Sequence, residues 1–149
     1  MKQFIILFLF ALPVTIISCS SSRKLAVADS KDAPKVIGPY SHAIKTGKLI
    51  YTSGQIGLSP VTNTLVGSDI ATQTSQALEN LKAILLEAGS DLNHVIKVTV
   101  FLKDLNDYAK VNEIYAGYFN EIKPARSAVQ VARLPKDALI EIECVATMK

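Results

Sequence analysis

A chain of 149 residues has room for one domain of ordinary size, and such a domain can bury a core without disulfides or a structural metal. Hydrophobic residues make up 49% and charged residues 19%, with the apolar excess in the first eighteen positions. Without those positions, whose only charge is Lys2, the net charge falls from +3 to +2, which is too small to indicate nucleic-acid binding by electrostatics.

The first eighteen residues have the pattern of a secretory leader. A basic start is followed by Phe4 to Leu12 without a polar residue, and small residues follow up to Ser18. The apolar run is too short for a membrane span, which predicts a signal peptide over 1–18. The run Ile16-Ile17-Ser18-Cys19 resembles a bacterial lipobox, so we expect an exported protein, anchored to a bacterial membrane through a lipidated Cys19 and facing the periplasm. The alternative is an ordinary cleaved signal, or an anchor, in which Cys19 is incidental.

The start of the folded domain is expected near Pro34. Residues 19–33 are predicted to be the lipidated cysteine and a flexible tether, because they are small, polar and charged without sustained periodicity. The domain then covers 34–149. Two short β-prone runs around Gly47 predict a hairpin at its beginning.

The middle of the chain contains a helix and then a strand. Apolar residues after Ser68 recur every three or four positions, which predicts a helix that Ser68 or Asp69 caps and Gly89 ends. Residues 94–102 alternate with period two and predict a strand. One face of this strand is expected to carry four apolar side chains, those of Ile96, Val98, Val100 and Leu102.

A second helix and two strands complete the domain. The helix is capped by Asp104 or Asn106 and stops before Pro124, and residues 125–132 and 139–148 alternate as strands do. The predicted order is ββαβαββ, an α+β domain whose two helices cover one face of the sheet.

The other face of that sheet needs a partner. In the last strand one side is apolar and includes Cys144, whereas the opposite side mixes Glu141 and Glu143 with Val145 and Thr147. A face that combines valine with carboxylates suits a subunit interface, so we expect a homo-oligomer with any site at its seam. Cys144 has no second cysteine in the mature domain to pair with and is expected to be a core residue.

The sequence has no His-Glu-x-x-His, paired Cys-x-x-Cys, phosphate-binding glycine loop or serine elbow. What it does have is Pro124-Ala125-Arg126-Ser127 followed by Ile140-Glu141-Ile142, which closely resembles the signature of the Rid family, also called the YjgF/YER057c/UK114 family. The resemblance runs from about Pro34 to the C-terminus. Four more segments resemble the family in its order: Ile37-Gly38-Pro39-Tyr40, Thr52-Ser53-Gly54-Gln55-Ile56, Val98 to Leu105, and Ala132 to Asp137.

The resemblance implies a chorismate-mutase-like fold in which three subunits form a barrel with active sites between them. It also implies hydrolytic deamination of reactive 2-imino acids of the 2-aminoacrylate/2-iminopropionate class to 2-oxo acids and ammonia, as in a 2-iminobutanoate/2-iminopropanoate deaminase. No cofactor and no metal are expected, and the ligands would be a small 2-imino acid or 2-oxo acid.

The resemblance assigns roles to particular residues. Arg126 matches the arginine that holds the substrate carboxylate, and Glu141 matches the acid that positions or deprotonates the attacking water. Tyr40, Ser53 and Gly54 match pocket residues. Ala128 is also expected to contact substrate, through its backbone, although some bacterial relatives carry a cysteine there.

Other interpretations stay open at this point. Without the family, an arginine and a glutamate on neighbouring strands are more often a structural ion pair than catalytic partners. The same Arg126 pocket could belong to a membrane-tethered module that binds small carboxylates without turnover. Ribonuclease or translation-inhibitor activity is the third hypothesis, but no basic patch with interleaved aromatic residues supports it. His42 and His94 are expected to lie near the surface.

Overall fold

The computed structural model describes residues 25–149, so the predicted signal peptide and Cys19 lie outside the described residues. This part of the chain forms one mixed sheet with two helices on one face, as predicted. The helices are α1 (Ile70–Ala88) and α2 (Tyr108–Tyr118). The strands are β1 (Leu25–Ala28), β2 (Ala43–Thr46), β3 (Leu49–Thr52), β4 (Gln55–Ile56), β5 (Val95–Leu102), β6 (Ala125–Gln130) and β7 (Ile140–Thr147).

The strand order across the sheet is β1-β2-β3-β7-β5-β6, and the short β4 also pairs with β7. All pairings are antiparallel except that of β5 with β6, which are parallel and are connected through α2. The last strand in sequence therefore lies in the middle of the sheet, whereas β6 lies at its edge. This order decides where the predicted site residues fall.

The segment 25–33 differs from the expected flexible tether. Its first four residues form β1, which pairs with β2, and Ala28 and Ala33 are buried. The pairing is made by backbone groups, and of the four apolar residues of β1 only Ala28 is buried, so this short run has no periodicity that marks it as a strand. The folded domain therefore begins before Pro34, at least as early as Leu25.

Helix α1 begins and ends where its sequence predicts. The Asp69 carboxylate accepts a hydrogen bond from the Thr72 backbone N–H (2.9 Å), and Gly89 ends the helix in the left-handed conformation with φ of 87°. Its buried stripe packs on the sheet and consists of Ala77, Leu78, Leu81, Ile84, Leu85 and Ala88.

Strand β5 departs from the predicted alternation at its first two residues. Val95 is buried and Ile96 is 48% exposed, the reverse of what strict alternation predicts, because the pairing with β7 shifts between Val95 and Lys97. A β-bulge of this kind inserts one residue and reverses the faces on one side of it. From Val98 onward the alternation holds.

Strand β7 alternates as predicted, with Ile140, Ile142, Cys144 and Ala146 buried beneath the helices. Burial raises the pKa of the Cys144 thiol to about 12, against a smaller opposing effect of the Thr52 hydroxyl, which fits a core residue. The opposite face of the sheet exposes Val27, Tyr51 and Val129 at 56%, 46% and 45%. Apolar side chains on an uncovered face are typical of a protein interface.

Candidate active site

Four of the predicted site residues meet at one cavity of about 300 Å³, which we call the Glu141 cavity. Glu141 projects from β7 into it, and Ser53 and Gly54 lie in the connection between β3 and β4. Tyr40 stands at its rim, half exposed. The remaining lining comes from the segment 34–37, from His42 and from apolar residues near Pro135.

Gly54 is required by the close approach of Glu141. A Cβ atom built on Gly54 would overlap the carboxylate of Glu141 and come within 2.7 Å of its Cδ. Only glycine therefore leaves room for the carboxylate to lie over the backbone at this point. The backbone of residue 54 thus helps to fix where the carboxylate sits.

The environment of Glu141 makes its carboxylate a better base. Burial raises its pKa, and the negative charge of Glu143 raises it further. A carboxylate whose pKa moves upward toward neutrality is suited to accept a proton from water. Glu143 is on the same face but lines a separate groove with Lys97 and Thr99, so the geometry distinguishes the two acids.

Ser53 is held by two hydrogen bonds at the floor of this cavity. Its hydroxyl donates to the Ser41 carbonyl (2.6 Å), and its backbone N–H donates to the His42 carbonyl (2.8 Å). Because its one proton is engaged, the Ser53 oxygen is left as an acceptor for a donor in the cavity.

Arg126 lies elsewhere, at a second cavity of about 530 Å³ that we call the Arg126 cavity. Its Nη2 donates to Asn112 Oδ1 (2.6 Å) and to the Tyr108 hydroxyl (3.0 Å), and its guanidinium lies 4.5 Å from the ring centroid of Tyr115. Within residues 25–149 no carboxylate pairs with Arg126. The structural ion pair with Glu141 is therefore not formed, and the guanidinium keeps donors for an external carboxylate.

Tyr115 also lines the Arg126 cavity. Its hydroxyl is buried and has no hydrogen-bond partner in the described part of the chain. Burial raises its pKa to about 12 although the charge of Arg126 acts in the opposite direction, so the phenol stays protonated and able to donate. Asn112, Tyr108 and Tyr115 were not predicted as site residues, yet their spacing of four and three places them on one face of α2.

Helix α2 itself starts later than predicted. Asp104 caps a short 3₁₀ turn by accepting from the Asn106 backbone N–H (2.9 Å), and the helix begins only at Tyr108. Tyr108 is 39% exposed, and its hydroxyl accepts the hydrogen bond from Arg126. The late start places its hydroxyl at the edge of the sheet.

Arg126 and Glu141 are separated within one chain. They lie on β6 and β7, which are not neighbours because β5 runs between them. Arg126 is opposite Val98 on the helix side, whereas Glu141 is opposite Phe101 on the uncovered side. Arg126 and Glu141 are two strands apart across the sheet and three residues apart along the strands, which is about 10 Å in each of these directions. One small substrate cannot touch both residues of the same chain.

Ala128 lies on the helix side of β6, two residues from Arg126. It packs against the main core and lines neither cavity. Its contact with substrate stays a prediction.

The described residues also bear on metals and membranes. No group of three or more His, Cys, Asp or Glu side chains between residues 25 and 149 could hold a metal ion. Neither helix in this range has the length and apolarity to cross a bilayer.

A mixed sheet with two helices on one face defines an α+β protein, and each of the two cavities places a few polar side chains in a largely apolar lining. The model of the family described as Endoribonuclease L-PSP matches residues 30–148, and the chain belongs to this family, the Rid/YjgF family.

Relatives cover nearly the whole described domain. A RutC family protein of Pyrococcus horikoshii is 62% identical over 117 residues, which are 78% of this chain and 93% of that protein. Reactive Intermediate Deaminase A, chloroplastic, of Arabidopsis thaliana is 48% identical over 132 residues, 89% of this chain and 70% of that protein. The crystal structure of E. coli TdcF with bound serine matches with a TM-score of 0.80 at 43% identity and covers 83% of this chain and 99% of that one.

Proposed function

We propose that the chain hydrolyses small 2-imino acids to 2-oxo acids and ammonia, at sites that combine Arg126 of one subunit with Glu141 of another in a homotrimer. The observation that carries the proposal is the pair of incomplete sites. One holds a carboxylate with a raised pKa and the other an arginine without a carboxylate partner, on opposite faces of one sheet.

The chemistry needs orientation more than a strong catalyst. A protonated 2-imino acid is electrophilic at C2. Arg126 pairs with the substrate carboxylate through two parallel N–H bonds, one from Nη1 and one from Nη2, as the carboxylate takes the place of the exposed Tyr108 hydroxyl on Nη2. Glu141 takes a proton from a water whose oxygen attacks C2. Glu141 passes this proton to the amino nitrogen of the resulting carbinolamine, and the hydroxyl loses its proton to solvent as the C–N bond breaks, so ammonia leaves, the 2-oxo acid remains and Glu141 is again a carboxylate. No cofactor enters this balance.

Two of the relatives support this substrate class. One bears the name of a reactive-intermediate deaminase, and another was crystallised with serine, a small amino acid whose carboxylate resembles that of an imino acid. The ribonuclease in the family's description fits less well, because the carboxylates of Glu141 and Glu143 would repel the negatively charged phosphodiester backbone of RNA.

The test of the activity is a comparison at Arg126. With 2-iminopropanoate generated in place by an amino-acid oxidase, we expect Arg126→Ala to lower kcat/KM at least about 100-fold. We expect Arg126→Lys to keep the positive charge but lose the two parallel N–H bonds, so its kcat/KM should lie between that of the wild type and that of Arg126→Ala. The rate of imine loss measured with purified full-length protein reports both.

Lys110→Ala is the matched control, since Lys110 pairs with Glu113 on the exposed side of α2. Equal rates with the wild type, both Arg126 variants and buffer would reject the deaminase. Retained binding of pyruvate in that case would favour a module that binds carboxylates without turnover.

We further propose that the protein is exported and lipid-anchored through Cys19, facing the periplasm. The support is the leader pattern and the lipobox-like residues before Cys19. We expect Cys19→Ser to abolish fatty-acid labelling and to move the protein out of the membrane fraction. Unchanged labelling and fractionation would contradict the anchor.

A further inference from the structure

We propose that His42 is a positioning residue that holds one wall of the Glu141 cavity, the segment Pro34–Ile37. The inference rests on the proposed function for its substrate readout. The sequence predicted His42 near the surface, but the residue is only 5% exposed and lines the cavity. It follows two residues after Tyr40.

Both ring nitrogens of His42 are used. Nε2 lies 2.8 Å from the Pro34 carbonyl oxygen, which can only accept, so Nε2 carries the proton. Nδ1 in turn accepts from the Ser30 backbone N–H at 3.2 Å. The two bonds define which ring nitrogen donates and which accepts, and they connect the N-terminal segment to the residue that precedes β2.

The wall depends on this contact. Residues 34–37 belong to no strand or helix, and within residues 25–149 the bond from His42 to the Pro34 carbonyl is the hydrogen bond that ties them to the sheet. The backbone of His42 also accepts from Ser53, so the same residue fixes the wall and the floor of the cavity. The hydrogen bond from His42 to the Pro34 carbonyl therefore sets where Val36 and Ile37 lie relative to a substrate in the cavity.

A loosened wall predicts a particular kinetic signature. The wall lines the cavity but carries neither Arg126 nor Glu141, so its displacement should weaken ground-state and transition-state binding alike. Such a change raises KM and leaves kcat nearly unchanged. The loss of one buried hydrogen bond corresponds to roughly a tenfold change.

Three substitutions separate the two ring nitrogens. In His42→Gln the amide nitrogen reaches the place of Nε2 and can still donate to Pro34. In His42→Asn the shorter side chain can only replace Nδ1, as an acceptor for Ser30, and His42→Leu replaces neither. We expect KM to rise about tenfold in the Asn and Leu variants with kcat within about twofold of wild type, and to stay near wild type in the Gln variant.

Cleavage by trypsin after Lys35, which is exposed, gives a readout that does not require turnover. We expect faster cleavage at this bond in the Asn and Leu variants of full-length protein and a wild-type rate in the Gln variant. If the wild type lacks imine hydrolysis, the proposed function fails, while the cleavage rates still decide the role of His42. Equal KM and equal cleavage rates in the Gln and Asn variants would overturn the positioning role, and that comparison holds even if His42→Leu does not fold.

Discussion

A mixture of Arg126→Ala chains and Glu141→Gln chains is expected to hydrolyse 2-iminopropanoate although neither variant does so alone. The reason is the sheet order, which places Arg126 and Glu141 on opposite faces with β5 between them, so that a complete site draws on two chains. When equal amounts assemble at random, about a quarter of the sites join an intact Arg126 to an intact Glu141. Activity near a quarter of wild type, measured after co-refolding, is the expected result.

The control for this experiment carries both defects on one chain. Mixing Arg126→Ala with the double variant leaves every site without an arginine, so no activity should return. If hybrid oligomers form, as native mass spectrometry can show, and activity still does not return in the first mixture, the two residues do not share a site across subunits.

The parts of the fold that follow from side-chain periodicity were predictable. Helix α1 and strand β7 bury residues of large volume at intervals that match 3.6 and 2 residues, and both have the predicted faces. The cap at Asp69 and the end at Gly89 follow from local chemistry that reaches only three or four residues.

What could not be predicted depends on backbone pairing or on distant partners. Strand β1 is held by backbone bonds and buried methyl groups, and the bulge in β5 comes from the pairing with β7. The burial of His42 is decided by acceptor and donor groups at Pro34 and Ser30, eight and twelve residues away, which no local pattern reveals.

The candidate site shows the same division. The family-like motif identifies Arg126 and Glu141 as residues, but it says nothing about the strand between them. Because β6 and β7 follow each other along the chain, they were expected to be neighbours in the sheet. Instead β7 lies in the middle of the sheet, and β5 separates it from β6. The sequence predicted an oligomer from the uncovered face of the sheet. The separation of Arg126 and Glu141 within one chain is a second, independent reason to expect one, because the proposed site needs both residues.

Replacing Glu141 by glutamine is expected to abolish hydrolysis and at the same time to stabilise the fold at neutral pH. Activity should fall at least about 100-fold, because the amide cannot accept the proton from water. Burial and Glu143 raise the pKa of Glu141, so the folded state holds its proton more tightly than the unfolded chain does. Stability of the wild type therefore falls as pH rises from the ordinary carboxyl pKa through the raised one, and the glutamine variant avoids this loss.

The measurement is the unfolding temperature of both proteins from pH 3 to pH 8. The variant should be the more stable protein at pH 7 and should lose that advantage below the ordinary carboxyl pKa of about 4.5, where Glu141 is protonated in both states. Glu143→Gln serves as the control: it removes the neighbouring charge, lowers the pKa of Glu141 and should move the acid limb of kcat/KM to lower pH while activity persists.

Gly54→Ala tests the same carboxylate without removing it. A methyl group at residue 54 would displace the end of a flexible side chain, which costs the fold little but moves the base away from its water. We expect a large loss of kcat with a nearly unchanged unfolding temperature, whereas Gly117→Ala, where a Cβ meets no atom within 4 Å, should leave kcat as it is. Full activity in Gly54→Ala together with a destabilised Glu141→Gln would mean that the Glu141 carboxylate supports the fold and takes no part in the reaction.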